Sequence, residues 1–157
     1  MLTELPFGLP GRIFRSPMPW GACDPHGRVF GEFGGHQVGV VVVLAGDDEC
    51  RRKAGRNLRE FYRQQGLEVV YLPVADFGVP PSREAMKDAV RTVTGYARQG
   101  RNVVVHCSAG IGRTGLFLAG MAKDVLAKSA SEALAFVRQY IPCAVETDEQ
   151  IRFLEEY

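Results

Sequence analysis

The run His106-Cys107-Ser108-Ala109-Gly110-Ile111-Gly112-Arg113-Thr114-Gly115 sets a thiol and a guanidinium at the two ends of five small or apolar residues. Nothing in Ser108, Ala109, Gly110, Ile111 or Gly112 is charged, and nothing there covers its own backbone N–H. Such a loop can curl round an anion of phosphate size. An apolar segment over Asn102–Val105 leads in and another leads out from Leu116, which is the order of buried strand, tight glycine loop and helix start. A thiol under the positive end of that helix is favoured as thiolate. Arg113 supplies a planar, two-pronged donor that lysine cannot, and its unfavourable place at a helix N-terminus makes sense if an anion sits there. A nucleophile at the floor of an oxyanion cradle is equipped to take a phosphoryl group onto sulfur.

The spacing C-x5-R is weak evidence alone, because Cys50-Arg51-Arg52-Lys53-Ala54-Gly55-Arg56 repeats it. Gly46-Asp47-Asp48-Glu49, not a strand, leads into that copy, and its long charged residues cannot line a cradle. It is read as chance. The basic residues Arg51, Arg52, Lys53, Arg56, Arg59 and Arg63 are read as the solvated face of one helix over Arg51–Gln65, with a docking site for acidic partners as the alternative.

The elements that must position the loop follow from periodicity. Val38–Leu44, Leu67–Leu72 and Val103–His106 read as strands, and Arg12–Arg15 as a short edge strand ended by Pro17 and Pro19. Ser82 is a candidate N-cap for a helix with Met86, Ala89, Val90, Val93 and Ala97 on one face, stopped at Gly100. Leu116–Ala127 is apolar nearly all round at its start, the mark of a central buried helix. Ser129-x-x-Glu132 and Thr147-x-x-Gln150 are capping boxes that open two more. Strands alternating with helices predict an α/β fold with a mainly parallel central sheet flanked by helices on both faces. One domain over 1–157 is expected, with 1–37 as a loop-rich N-terminal segment packed on the core.

The chain has 157 residues, 46% hydrophobic and 24% charged, with net charge +1. That excludes a global field for nucleic acid or an anionic membrane, so any anion site is local. No apolar run is long enough to span a bilayer, and the first residues lack the layout of a signal peptide. Four cysteines without metal-like spacing suggest reduced thiols and a cytoplasmic location. Cys23, Cys50 and Cys143 are read as structural or incidental, with a disulfide partner for Cys107 as the alternative. No metal and no cofactor is expected, nor a nucleic-acid or membrane partner, and the chain is expected to be a monomer.

The decapeptide 106–115 resembles the phosphate-binding signature of the cysteine-dependent protein tyrosine phosphatase superfamily. Ala75-Asp76-Phe77-Gly78-Val79-Pro80 resembles the superfamily's acid-bearing loop, and 146–153 its late glutamine segment. The resemblance spans roughly 38–157. It implies a phosphorylated protein substrate and a cysteinyl-phosphate intermediate on Cys107, with the phosphate held by Ser108 to Arg113. Asp76, between Pro73 and Pro80 with Gly78 as a hinge, is the expected general acid and then base, though a turn-forming Asp would look the same. Thr114 can hydrogen-bond the sulfur or only satisfy backbone. His106 is expected to order the loop without moving protons. Gln150 positions water or merely closes a helix. Glu146 stands where the family often has another glutamine, and Val74-Ala75 where its tyrosine-specific branch has Trp-Pro. The uncharged loop and short chain resemble the compact dual-specificity branch, with phosphotyrosine expected first. Sulfur transfer through a persulfide and a catalytically dead phosphoprotein-binding module are the rival functions.

Overall fold

Val38–Val43 and Asn102–His106 are runs of β-branched residues almost without polar interruption. In the computed structural model, which describes residues 1–157, they lie side by side as strands β3 and β5. Val40–Val43 and Val103–Val105 are fully buried, because helices cover both faces of the sheet. The five strands run in the order β1-β2-β5-β3-β4, with β1 Thr3–Leu5, β2 Ile13–Ser16 and β4 Glu68–Tyr71. All neighbours are parallel except the β1–β2 pair.

Alternation along the strands splits the core in two. Val40, Val42, Val103 and Val105 face helices α4 Arg83–Arg98, α5 Gly112–Leu126 and α6 Ala130–Tyr140. Val41, Val43 and Val104 face α1 Arg28–Gly35, α2 Asp47–Ala54 and α3 Leu58–Gln64. The last helix, α7 Asp148–Glu156, packs on α5. Ser82 caps α4 as expected, accepting from Ala85 N at 3.0 Å, and both capping boxes form, at Ser129 and Thr147. No helix is long and apolar enough to cross a membrane.

Three expectations need correction. Residues 1–37, loop-rich as they are, hold more than one edge strand: they supply β1, β2 and α1, and β1, not β2, is the sheet edge. Helix α1 forms on the glycine-rich run 28–35 because Asp24 accepts from Arg28 N and Val29 N at 3.0 and 3.1 Å. Phe30 and Phe33 then pack with Trp20, Phe61 and Tyr62, which outweighs the poor helix propensity. The helix expected over Arg51–Gln65 is two helices. Gly55 ends α2 in the left-handed conformation at φ 71°, and the Asn57 side chain caps α3. Finally, α5 begins inside the glycine loop at Gly112, four residues earlier than its apolar face suggests.

Strand β5 returns between β2 and β3, so the sheet's direction of winding reverses at its C-terminal end. That is where a parallel α/β sheet leaves a crevice. The wall beside it is the end of β2, where Met18 N donates to Ser108 O at 2.8 Å. Gly110 sits at φ 77°, and a Cβ there would run into the backbone carbonyl of Ser16. Gly110→Ala is therefore expected to cost more than about 1 kcal/mol, read as a lower urea midpoint. An unchanged midpoint would mean the wall is not as tight as described.

Candidate active site

Cys107 follows the last residue of β5 and is 3% exposed, with Arg113 equally buried in the first turn of the next helix. The strand fixes the thiol, and α5 fixes the guanidinium and aims its N-terminal N–H groups at the loop. Leu44 N donates to His106 O at 3.0 Å, tying the loop's root to the end of β3.

Arg113 is held from three sides. Glu49, in the first turn of α2, takes both of its prongs, Nη1 to Oε2 at 2.8 Å and Nη2 to Oε1 at 2.9 Å. Val74 O accepts from Nη1 at 2.8 Å and Asp76 Oδ1 from Nη2 at 3.0 Å. Burial would raise the Glu49 carboxyl, but hydrogen bonds from Arg113 and Lys53 outweigh it and hold it at about 2. Burial likewise works against the Arg113 charge, and Glu49, with the Cys107 and Asp76 charges, more than offsets it. Lys53 Nζ bridges Glu49 at 2.7 Å, Ser108 Oγ at 3.1 Å and Asp76 at 3.3 Å. The structure thus brings Cys107, Arg113 and Asp76 to one place, with Asp76 on the half-open side.

His106 is fully buried beneath the loop. Its Nδ1 lies 3.0 Å from Cys107 O, a carbonyl that can only accept, so Nδ1 carries the proton. Nε2 then accepts from Tyr62 Oη at 2.9 Å. Burial lowers its pKa to about 4, so the ring is neutral at pH 7. Thr114 is also buried, but its hydroxyl finds no partner: the expected bond to sulfur is not made in this structure.

Gln150 is fully buried and does two things. Its Oε1 accepts from Glu146 N at 2.8 Å and from Thr147 N at 3.4 Å, the second bond closing the capping box of α7. Its Nε2 donates to Gly78 O at 2.9 Å, so the same side chain holds the acid-bearing loop. Before it, Cys143 and Val145 take positive φ, 65° and 61°, a costly conformation for non-glycine residues. Arg138 clamps that segment by donating to Ala144 O and Val145 O at 2.9 and 3.2 Å. Glu146 then lies against Gly112, where a Cβ would strike its carboxylate.

Sequence reasoning missed Glu49 and Lys53, although their i, i+4 spacing was a signal that both share one helix face. The basic residues of 51–63 do not form one solvated face. Lys53 turns into the site, Arg59 pairs with Asp47 across two hydrogen bonds, and Arg56 stacks 3.9 Å over Trp20. The thiol of the second C-x5-R copy, Cys50, lines the core, and burial pushes its pKa up to about 11. It stays a neutral thiol, and all four cysteines are free.

Two measurements follow from these charges. Glu49→Ala strips the partner from a buried guanidinium, an expected loss of about 3–5 kcal/mol with a raised KM for aryl phosphate. Unchanged stability and KM would mean Arg113 does not depend on Glu49. The folded pKa of His106 lies below its unfolded value, so its contribution is present above pH ~6.5 and is lost as pH falls towards 4. Unfolding stability should drop by about 2–3 kcal/mol between pH 7 and 4.5, above the range where Glu49 titrates. His106→Asn should flatten that slope, and a slope that survives would assign it to another group.

Comparison with known proteins agrees with this geometry. The family model described as a polymorphic toxin system DSP-PTPase phosphatase matches residues 21–138. The protein MJECL20 of Methanocaldococcus jannaschii is 38% identical over 92 residues, 58% of this chain, and the match spans 60% of that protein's length. The solved structure of Tk-PTP in its active form is 34% identical, with a TM-score of 0.78 covering 93% of this chain and 90% of that one. Kinase associated phosphatase with a serine in place of its catalytic-site cysteine shares the fold at 19% identity and a TM-score of 0.88, over 99% of this chain and 92% of that one. A thiol and a guanidinium on one glycine loop, in this fold and with this family match, place the chain in the DSP-PTPase family of cysteine-dependent phosphatases.

Proposed function

We propose that the chain hydrolyses phosphotyrosine on proteins, with phosphoserine and phosphothreonine as slower substrates. The observation that carries this reading is the convergence of the Cys107 loop, Arg113 and the Asp76 carboxylate at the C-terminal end of β5. In the first step the Cys107 thiolate forms an S–P bond as the P–O bond to the leaving group breaks. Asp76 gives its proton to the departing oxygen. Arg113 and the N–H groups from Ser108 to Gly112 carry the equatorial oxygens. Asp76 then takes a proton from water, which attacks phosphorus, and the S–P bond breaks to release phosphate. Thr114, with an unengaged hydroxyl beside the loop, steadies the departing thiolate. His106 orders the loop from below. Gln150 is assigned to holding the loop and capping α7, because both ends of its amide are already engaged.

Phe77 favours an aromatic ester. It follows Asp76, is 59% exposed and sits at φ 60°, so an apolar ring stands beside the acid where a phenol ring can pack. A protein monoester fits the uncharged loop, since Lys53 is already engaged by Glu49 and Asp76. Four free thiols suit a reducing compartment, and a cytoplasmic site of action fits them.

Persulfide transfer has no use for Asp76, which separates the two enzymatic readings. Cys107→Ser is expected to abolish turnover of phosphotyrosine peptide while still binding it. Asp76→Asn should lower kcat by about 10²–10⁴-fold, with the loss smaller on an aryl phosphate whose leaving group needs no proton. Turnover by the serine variant, or full activity without Asp76, would sink the mechanism.

A further inference from the structure

Arg15 carries a charge that no acid of the chain answers. It stands on β2 opposite Val105, and the next residue, Ser16, stands opposite His106. Side chains alternate along the parallel pair, so Arg15 shares the face of Val103, Val105 and Cys107, next to the nucleophile. The end of its strand is the wall of the loop, through Met18 N on Ser108 O and the close approach of Gly110 to Ser16 O.

The interior arginines elsewhere are satisfied. Arg113 has Glu49, Arg59 has Asp47, Arg101 has Gly39 O and Arg138 has two carbonyls. Arg15 is half-buried, and its Nε is sealed from water with no acceptor. Burial lowers its pKa, and no carboxylate is among the groups that oppose this. A sealed Nε–H without an acceptor is costly, and the rest of the guanidinium, which has no protein partner, is open to a ligand. Its position limits that ligand. The register sets Arg15 level with Val105, two residues before Cys107, so a ligand anion there would come from a group close to the phosphorylated residue.

We propose that Arg15 is a second anion subsite, which takes the carboxylate of an acidic residue flanking the phosphorylated residue of a peptide substrate. This rests on the phosphatase reading above and adds to it a sequence preference. The preference is electrostatic, so it weakens as salt rises.

The test compares kcat/KM on two phosphotyrosine peptides that differ only in Glu or Gln beside the phosphotyrosine. Wild type should favour the acidic peptide by about tenfold or more, the worth of one charge-assisted hydrogen bond. Arg15→Gln should bring the ratio towards one, and Arg15→Lys, which keeps the charge, should retain part of it. Turnover of both peptides by wild type without preference would overturn the subsite alone. An equal loss on both peptides in Arg15→Gln, with a shifted acid limb of the pH profile, would also overturn it, by making Arg15 a partner of the thiolate. Turnover of neither peptide by wild type would overturn the phosphatase reading and the subsite together.

Discussion

A guanidinium almost sealed from water, beside a thiol, is the constraint around which this molecule is arranged. Arg113 cannot stay charged there without partners, and the chain answers with Glu49 across both prongs, a main-chain carbonyl and the carboxylate of Asp76. Those partners come from the helix after β3 and the loop after β4, both at the C-terminal edge of the sheet. The parallel order of β5, β3 and β4 is what delivers them to the same edge. An antiparallel neighbour in either place would send one partner to the far end of the sheet.

The other face of the sheet serves the site less directly. Trp20, Phe30, Phe33, Phe61 and Tyr62 form one aromatic cluster that pins the N-terminal segment to α3. The hydroxyl of Tyr62 passes that rigidity to His106 and thence to Cys107 O. The loop is therefore fixed from below by packing and from above by charge. Neither support touches phosphorus.

The local features were legible in the residues. The glycine loop, the apolar face of α4 and the two capping boxes each depend on neighbours within one or two turns, and each formed. What could not be read depends on the tertiary arrangement. Glu49 and Lys53 look like one more exposed ion pair until the sheet sets α2 against the start of α5. Helix α1 was hidden because its glycines speak against a helix and only distant aromatic rings outweigh them. The break between α2 and α3 was signalled by Gly55 and Asn57, but the apolar spacing of Ala54, Leu58 and Tyr62 runs across it. The orphan Arg15 had no signal at all, since a missing partner is a property of the assembled fold.

Gln150 closes the first turn of α7 with one end of its amide and carries Gly78 with the other. The acid-bearing loop cannot swing away from the site while keeping that bond unless the cap gives way. Opening and fraying then draw on the same free energy, on the scale of a helix cap. The C-terminal helix, distant in sequence from the Cys107 loop, is thereby tied to the segment that carries Asp76, so its stability and that segment's position are coupled.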